Sequence, residues 1–127
     1  MSDKPKKILV VDDEPDAVTY LTSLLEDNGY ETVSAYDGKE GMELAKKEQP
    51  DLISLDITMP EETGVRMLRN LHADPETRDI PVVLVTGMNP NFKSFIRRQR
   101  QIPPPAAYFE KPINTEEYLA GIRKILG

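Results

Sequence analysis

A few positions in this chain carry side chains that could do chemistry together. Asp12 and Asp13 follow the apolar run 8–11, Asp56 follows 52–55, and Thr86 follows 82–85. Lys111 lies just past a weaker apolar segment, 106–109. Three carboxylates brought close together repel and raise one another's pKa unless a cation sits among them. There is no cysteine, so a disulfide, a thiol nucleophile and a thiolate metal site are excluded, and any metal must be held by oxygen. Magnesium suits such a place, because it accepts one or more carboxylates and keeps water positions open for phosphate oxygens. A carboxylate beside that ion can attack a phosphoryl group and become an aspartyl phosphate, with Lys111 and the Thr86 hydroxyl meeting the transferred oxygens. Asp56 is the best nucleophile, being the single acid at a central strand end, whereas the paired Asp12 and Asp13 suit metal binding. Taken singly, each residue has an ordinary alternative: Asp12 and Asp13 could cap a helix and Asp56 a turn. The argument for a site is their joint placement.

That placement depends on the elements that carry the residues. The runs 8–11, 52–55 and 82–85 are continuous, rich in Val, Ile and Leu, and stop at a polar residue, as strands buried on both faces do. Segments 31–35 and 106–109 complete a set of five strands. Between them the spacing predicts helices. Val18, Leu21, Leu24 and Leu25 recur at helical spacing after Pro15, and Gly29 is placed to end that helix in a left-handed cap. Asp37 with Glu40, and Asn114 with Glu117, predict helix starts in which the second residue reaches back to the first. Thr63 caps a third helix with Val65, Leu68 and Leu71 inward, and Tyr118, Leu119, Ile122, Ile125 and Leu126 form the stripe of the last. A fourth helix rests on Phe92, Phe95 and Ile96, between Pro90 and the run Pro103, Pro104 and Pro105. Strand and helix alternating five times predict an α/β fold, a parallel sheet covered on both faces, with the ligand site beyond the carboxyl ends of its strands.

Length and composition set the outer limits. At 127 residues the expectation is a single domain, 1–127, with its core over about 6–126. Sixteen Lys and Arg against 22 Asp and Glu leave a net charge of −6, which argues against broad contact with nucleic-acid phosphates or anionic lipid. No recognition-helix module is present either, so direct nucleic-acid binding is not expected. No apolar run approaches the roughly 20 residues of a membrane span, and the run 8–11 is too short for a signal-peptide core. The expected location is cytoplasmic.

At these residues the chain resembles the receiver domains of two-component response regulators, of the chemotaxis-regulator type. The matching elements are Asp12 and Asp13, Asp56 with Met59, Pro60 and Gly64 after it, Thr86 followed by Gly87, and the pair Lys111 and Pro112. The resemblance covers essentially the whole chain. It implies a flavodoxin-like doubly wound (βα)5 fold with strand order 2-1-3-4-5. It also implies a switch in phosphorelay signal transduction: Asp56 receives a phosphoryl group from a phosphohistidine on a sensor histidine kinase or histidine phosphotransfer protein. By the same resemblance Asp13 and Asp56 ligate magnesium directly, Asp12 does so through water, and the Thr58 carbonyl is a further ligand. Thr86 then moves toward the phosphoryl group, Tyr108 follows it, and the Lys111–Pro112 bond is cis. The downstream protein target meets the surface of the fourth helix, fifth strand and fifth helix, and a homodimer forms through that surface. Such a protein catalyses only its own phosphorylation and dephosphorylation, so it is a signalling switch rather than an enzyme.

Some positions depart from the family pattern. Thr58 and Met88 occupy the places that adjust the lifetime of the aspartyl phosphate, and neither activates water as a carboxylate or amide would. Slow self-dephosphorylation is therefore expected. The prolines at 103–105 replace the usual short glycine-containing loop and remove three backbone donors. Lys93, Arg97, Arg98 and Arg100 form a basic run, either a solvated face or a docking patch for an acidic partner. His72 has no second histidine or cysteine and is expected at the surface. Three competing functions fit less well. A pseudo-receiver adaptor would not need the intact set of site residues. A haloacid-dehalogenase-like phosphatase wants an aspartate at position 58. A flavodoxin-like flavin carrier would not place Asp12, Asp13 and Glu14 where the cofactor phosphate binds.

Overall fold

A computed structural model of the chain describes residues 5–56, 63–87 and 105–127, the side chains of 63–65 excepted. The expectations for Thr58, Met88, the helix over 92–96, the basic run 93–100, Pro103 and Pro104, and the side chains of Thr63 and Val65 lie outside the described residues.

Five parallel strands form one sheet in the order β2-β1-β3-β4-β5: β1 (Lys7–Val11), β2 (Glu31–Ala35), β3 (Leu52–Asp56), β4 (Val82–Thr86) and β5 (Ala107–Glu110). This is the expected doubly wound, flavodoxin-like arrangement. The ladder runs slightly past the apolar runs: β3 and β4 include Asp56 and Thr86, and β5 is one residue later than its apolar segment. Strand pairing uses backbone groups, so it does not stop where the side chains turn polar.

Alternation along each strand divides the interior in two. Ile8, Val10, Leu52, Val83 and Val85 point to one face, where Leu21 and Leu25 of α1 (Pro15–Asp27) and Tyr118, Leu119 and Ile122 of the C-terminal helix cover them. Leu9, Val11, Ile53, Leu55 and Leu84 point to the other, against Ala45 of α2 (Gly38–Glu48) and Met67, Leu68 and Leu71 of α3 (Thr63–Ala73). The C-terminal helix, α4, spans Thr115–Leu126. All five residues of β3 and all five of β4 are buried, and each large aliphatic side chain withdrawn from water in this way contributes about 1.5–3 kcal/mol before entropy is counted.

The helix ends follow local chemistry. Pro15 opens α1, and its C-terminus closes in a Schellman arrangement: Tyr30 N–H donates to the Leu25 carbonyl, Gly29 N–H donates to that of Glu26, and Gly29 has φ +90°. Glu14, not Asp12 or Asp13, occupies the N-cap of α1, and its side chain makes no cap bond. Asp37 and Asn114 cap α2 and α4 by accepting from the Glu40 and Glu117 N–H groups at 2.8 and 3.0 Å. The return bond expected at Asp37 lands one residue earlier: Glu40 Oε1 accepts from the Tyr36 N–H at 3.2 Å. His72 is exposed, as expected. Among the described residues no helix is long and apolar enough to cross a membrane.

Candidate functional site

The register of the sheet sets the heights of the polar side chains. Val11 pairs with Leu55, so Asp12 and Asp56 emerge at the same level. Asp56 pairs with Val85, Val85 with Phe109 and Thr86 with Glu110, so Thr86 stands one residue further out than Asp56 and Lys111 two. Beyond β5 the Lys111 N–H still donates to the Thr86 carbonyl at 2.7 Å, which keeps the lysine in register. The Lys111–Pro112 peptide is cis. Asp12 is anchored through its N–H to the Ala35 carbonyl at 3.1 Å, and its Oδ1 accepts from the Glu14 N–H at 3.0 Å. That local turn leads the chain into α1.

Lys111 Nζ lies 3.1 Å from Asp12 Oδ2 and 3.2 Å from Asp56 Oδ2. Asp12 and Asp56 are 1% and 2% exposed, so the ion pairs are largely shielded from water. Burial pushes the Asp12 carboxyl up to about 6 and the Asp56 charge adds to this, while the Glu14 N–H and Lys111 pull it back. For Lys111, burial favours loss of the proton, but the Asp56 and Asp12 carboxylates more than offset it and hold the ammonium above the ordinary lysine range. One carboxylate oxygen from each of Asp12, Asp13 and Asp56 lies within 4.8 Å of the others. Three hard oxygen donors at that spacing fit a small divalent cation. The acidic pair is unequal: Asp12 is buried and Asp13 exposed.

Thr86 and Tyr108 belong to the opposite face of the sheet. Tyr108 packs on the cluster beneath α2 and α3. Burial and the Glu110 charge push its phenol upward, and a hydrogen bond with the Thr86 side chain opposes them. The site is therefore built from both faces, with Asp12, Asp56 and Lys111 continuing the α1/α4 side and the hydroxyl pair continuing the α2/α3 side.

Two interactions near the site were not anticipated. Ser54, two residues before Asp56, shares a 2.7 Å hydrogen bond with the Tyr118 hydroxyl inside the core. Tyr20 of α1 bonds Thr115 at the start of α4 at 2.9 Å. A lone serine within the run 52–55 was the only warning in the sequence, since a buried hydroxyl demands a partner; its identity could not be inferred from spacing.

A doubly wound parallel sheet with an acidic cluster and a lysine at its carboxyl edge is the layout that the resemblance to receiver domains implies. The profile of the response regulator receiver domain matches residues 8–123, and the chain belongs to that family, which serves two-component signalling. Protein PilH of Pseudomonas aeruginosa is 36% identical over 121 residues, covering 94% of this chain and 97% of that protein. The polar-differentiation response regulator DivK of Brucella anthropi is 36% identical over 123 residues, covering 97% and 98%. The chemotaxis response regulator CheY4 of Vibrio cholerae has a similar structure, with a TM-score of 0.82 at 27% identity over 96% of this chain and 99% of that one. Receiver domains in general bind magnesium and interact with histidine kinases and downstream targets.

Proposed function

We propose that this protein is a phospho-accepting switch in a phosphorelay, with Asp56 as the acceptor. The carrying observation is the position of Asp56: a buried carboxylate at the end of the central strand, 3.2 Å from the Lys111 ammonium and grouped with Asp12 and Asp13. An Asp56 oxygen attacks the phosphorus of a partner's phosphohistidine. The P–O bond forms as the P–N bond breaks, and the departing imidazole nitrogen takes up a proton from solvent. Lys111 offers a fixed cation to the transferred oxygens, and Thr86 offers its hydroxyl after exchanging Tyr108 for the phosphoryl group.

Asp13 and Asp56 would hold magnesium directly, with Asp12 acting through water and the Thr58 carbonyl completing the protein ligands. Bound there, the ion would offset the negative charge that Asp56 and the phosphoryl oxygens bring together. Thr58 and Met88 give no group to activate water, so the phosphorylated state persists beyond seconds without a phosphatase. In this reading the protein is cytoplasmic, forms one domain over 1–127, and passes its state to a protein target or a second copy through the surface that includes β5 and α4.

The test is direct. Incubation with acetyl phosphate and magnesium should add the mass of one phosphate, and Asp56→Asn should abolish the gain. An unmodified wild-type protein, or a D56N variant that still gains phosphate, overturns the reading.

A further inference from the structure

The interior of β3 is apolar except for Ser54, which is 1% exposed. Its hydroxyl is satisfied across the core by Tyr118 of α4, itself fully buried, at 2.7 Å. Two buried hydroxyls bonded to each other add little net stability over an apolar pair of the same shape, and what they do fix is geometry. Ser54 and Asp56 share one side of β3 by alternation, so the helix grips the strand one step below the acceptor.

The same tyrosine touches β5. Its ring meets that of Phe109 edge to face, with centroids 5.3 Å apart at 69°. Phe109 also lies over Gly121, where an added Cβ would come within 2.7 Å of the ring. Phe109 directly follows Tyr108 in the chain, so a displacement of β5 at Tyr108 is passed to a rigid ring wedged against α4. One helical residue is thus joined to the strand that carries Asp56 and to the strand that carries Tyr108.

We propose that Tyr118 is a positioning residue that ties the setting of the C-terminal helix to the phosphoryl state of Asp56, through the Ser54 hydroxyl from β3 and through Phe109 from β5. This rests on the phospho-acceptor reading and adds a route on the α1/α4 face to the Thr86–Tyr108 pair on the other.

The test measures amide hydrogen exchange across α4 with and without acetyl phosphate and magnesium, in wild type, Tyr118→Phe and Ser54→Ala. Both substitutions remove the hydrogen bond, and Y118F keeps the ring. In wild type, phosphorylation should change α4 exchange by about fivefold or more, the usual scale of coupling between sites. In both variants Asp56 should still gain one phosphate by mass while the α4 response falls by half or more, the remainder carried by the Phe109 ring contact that both variants keep, and the double variant should behave as either single. A merely structural role would shift exchange equally in the two states. An α4 response of undiminished size in both variants, or one absent from phosphorylated wild type, overturns the proposal and leaves the phospho-acceptor reading intact. Failure of wild type to take up phosphate overturns both.

Discussion

The two faces of the sheet are built from different materials. On the α1/α4 face, contacts are stiff: an edge-to-face aromatic pair, a buried hydroxyl pair, and Gly121 letting α4 settle onto the Phe109 ring. On the α2/α3 face, Gly41 also permits a close approach, but its nearest neighbour is the Met67 thioether, which bends to fit, with a Val11 methyl next at 3.2 Å from the place of a Cβ. The stiff face ends in the charged group Asp12, Asp56 and Lys111, and the compliant face ends in Thr86 and Tyr108. Fixed charges need a frame that does not relax around them, whereas the partner exchange proposed for the hydroxyl pair would need room to move.

Removing one element from each face sharpens that contrast. The largest expected effect is at Lys111: Lys111→Met should slow phosphate uptake from acetyl phosphate by about 100-fold or more, because it deletes a positioned cation. Thr86→Ala removes one neutral hydrogen-bonding group and should cost about tenfold. Time courses followed by intact mass compare the two, and equal losses would erase the division of labour.

Burial raises both the Tyr108 phenol on the compliant face and the Tyr118 phenol on the stiff face, and the deeper Tyr118 should carry the larger part of the alkaline response. Burial pushes the Tyr118 phenol up to about 12, the Ser54 hydrogen bond opposing this in part. A folded-state pKa raised above the unfolded value near 10 means that this group's contribution to stability is complete below pH 10 and lost as pH rises from 10 through 12. The loss is on the order of 3 kcal/mol. Urea midpoints across that range should fall less steeply for Tyr118→Phe than for wild type.

The smallest effects compare the two glycines. Gly121→Ala drives a methyl against a rigid ring and should destabilise by about 1–2 kcal/mol. At Gly41→Ala the flexible Met67 end can yield and only the Val11 methyl, 3.2 Å from the added Cβ, must give by a few tenths of an ångström, so with the helix-propensity gain of alanine, under about 1 kcal/mol, the net cost should stay below that of Gly121→Ala. Chemical denaturation measures both, and a Gly41→Ala variant as damaged as Gly121→Ala would show that the α2/α3 face is not compliant.

Much of this was legible from pattern alone. The strands followed from apolar runs such as 52–55 and 82–85, and parallel order followed from the intervening helices. The convergence of Asp12, Asp56, Thr86 and Lys111 followed from their place after those runs. The residue pattern did not tell the buried Asp12 from the exposed Asp13, which only the family resemblance set apart, because both faces of the sheet are covered and adjacency in the chain does not say which carboxylate is enclosed. Met67 was overlooked among the inward residues of α3, since its burial depends on the gap left by Gly41 on a different helix. The Ser54–Tyr118 bond was equally hidden: its partners stand 64 positions apart, and only the packed core brings them together.

Tyr108 on the edge strand and Lys111 just past its end are separated by an odd number of steps, which is why one faces the compliant side and the other the charged side. That parity works as a counting rule on heredity. Surface connections can lengthen or shorten without consequence for it, but one residue gained or lost between these two would send the lysine to the wrong side and leave the carboxylates without their tethered counter-ion. In this stretch an insertion or deletion should therefore be far less tolerable than almost any substitution.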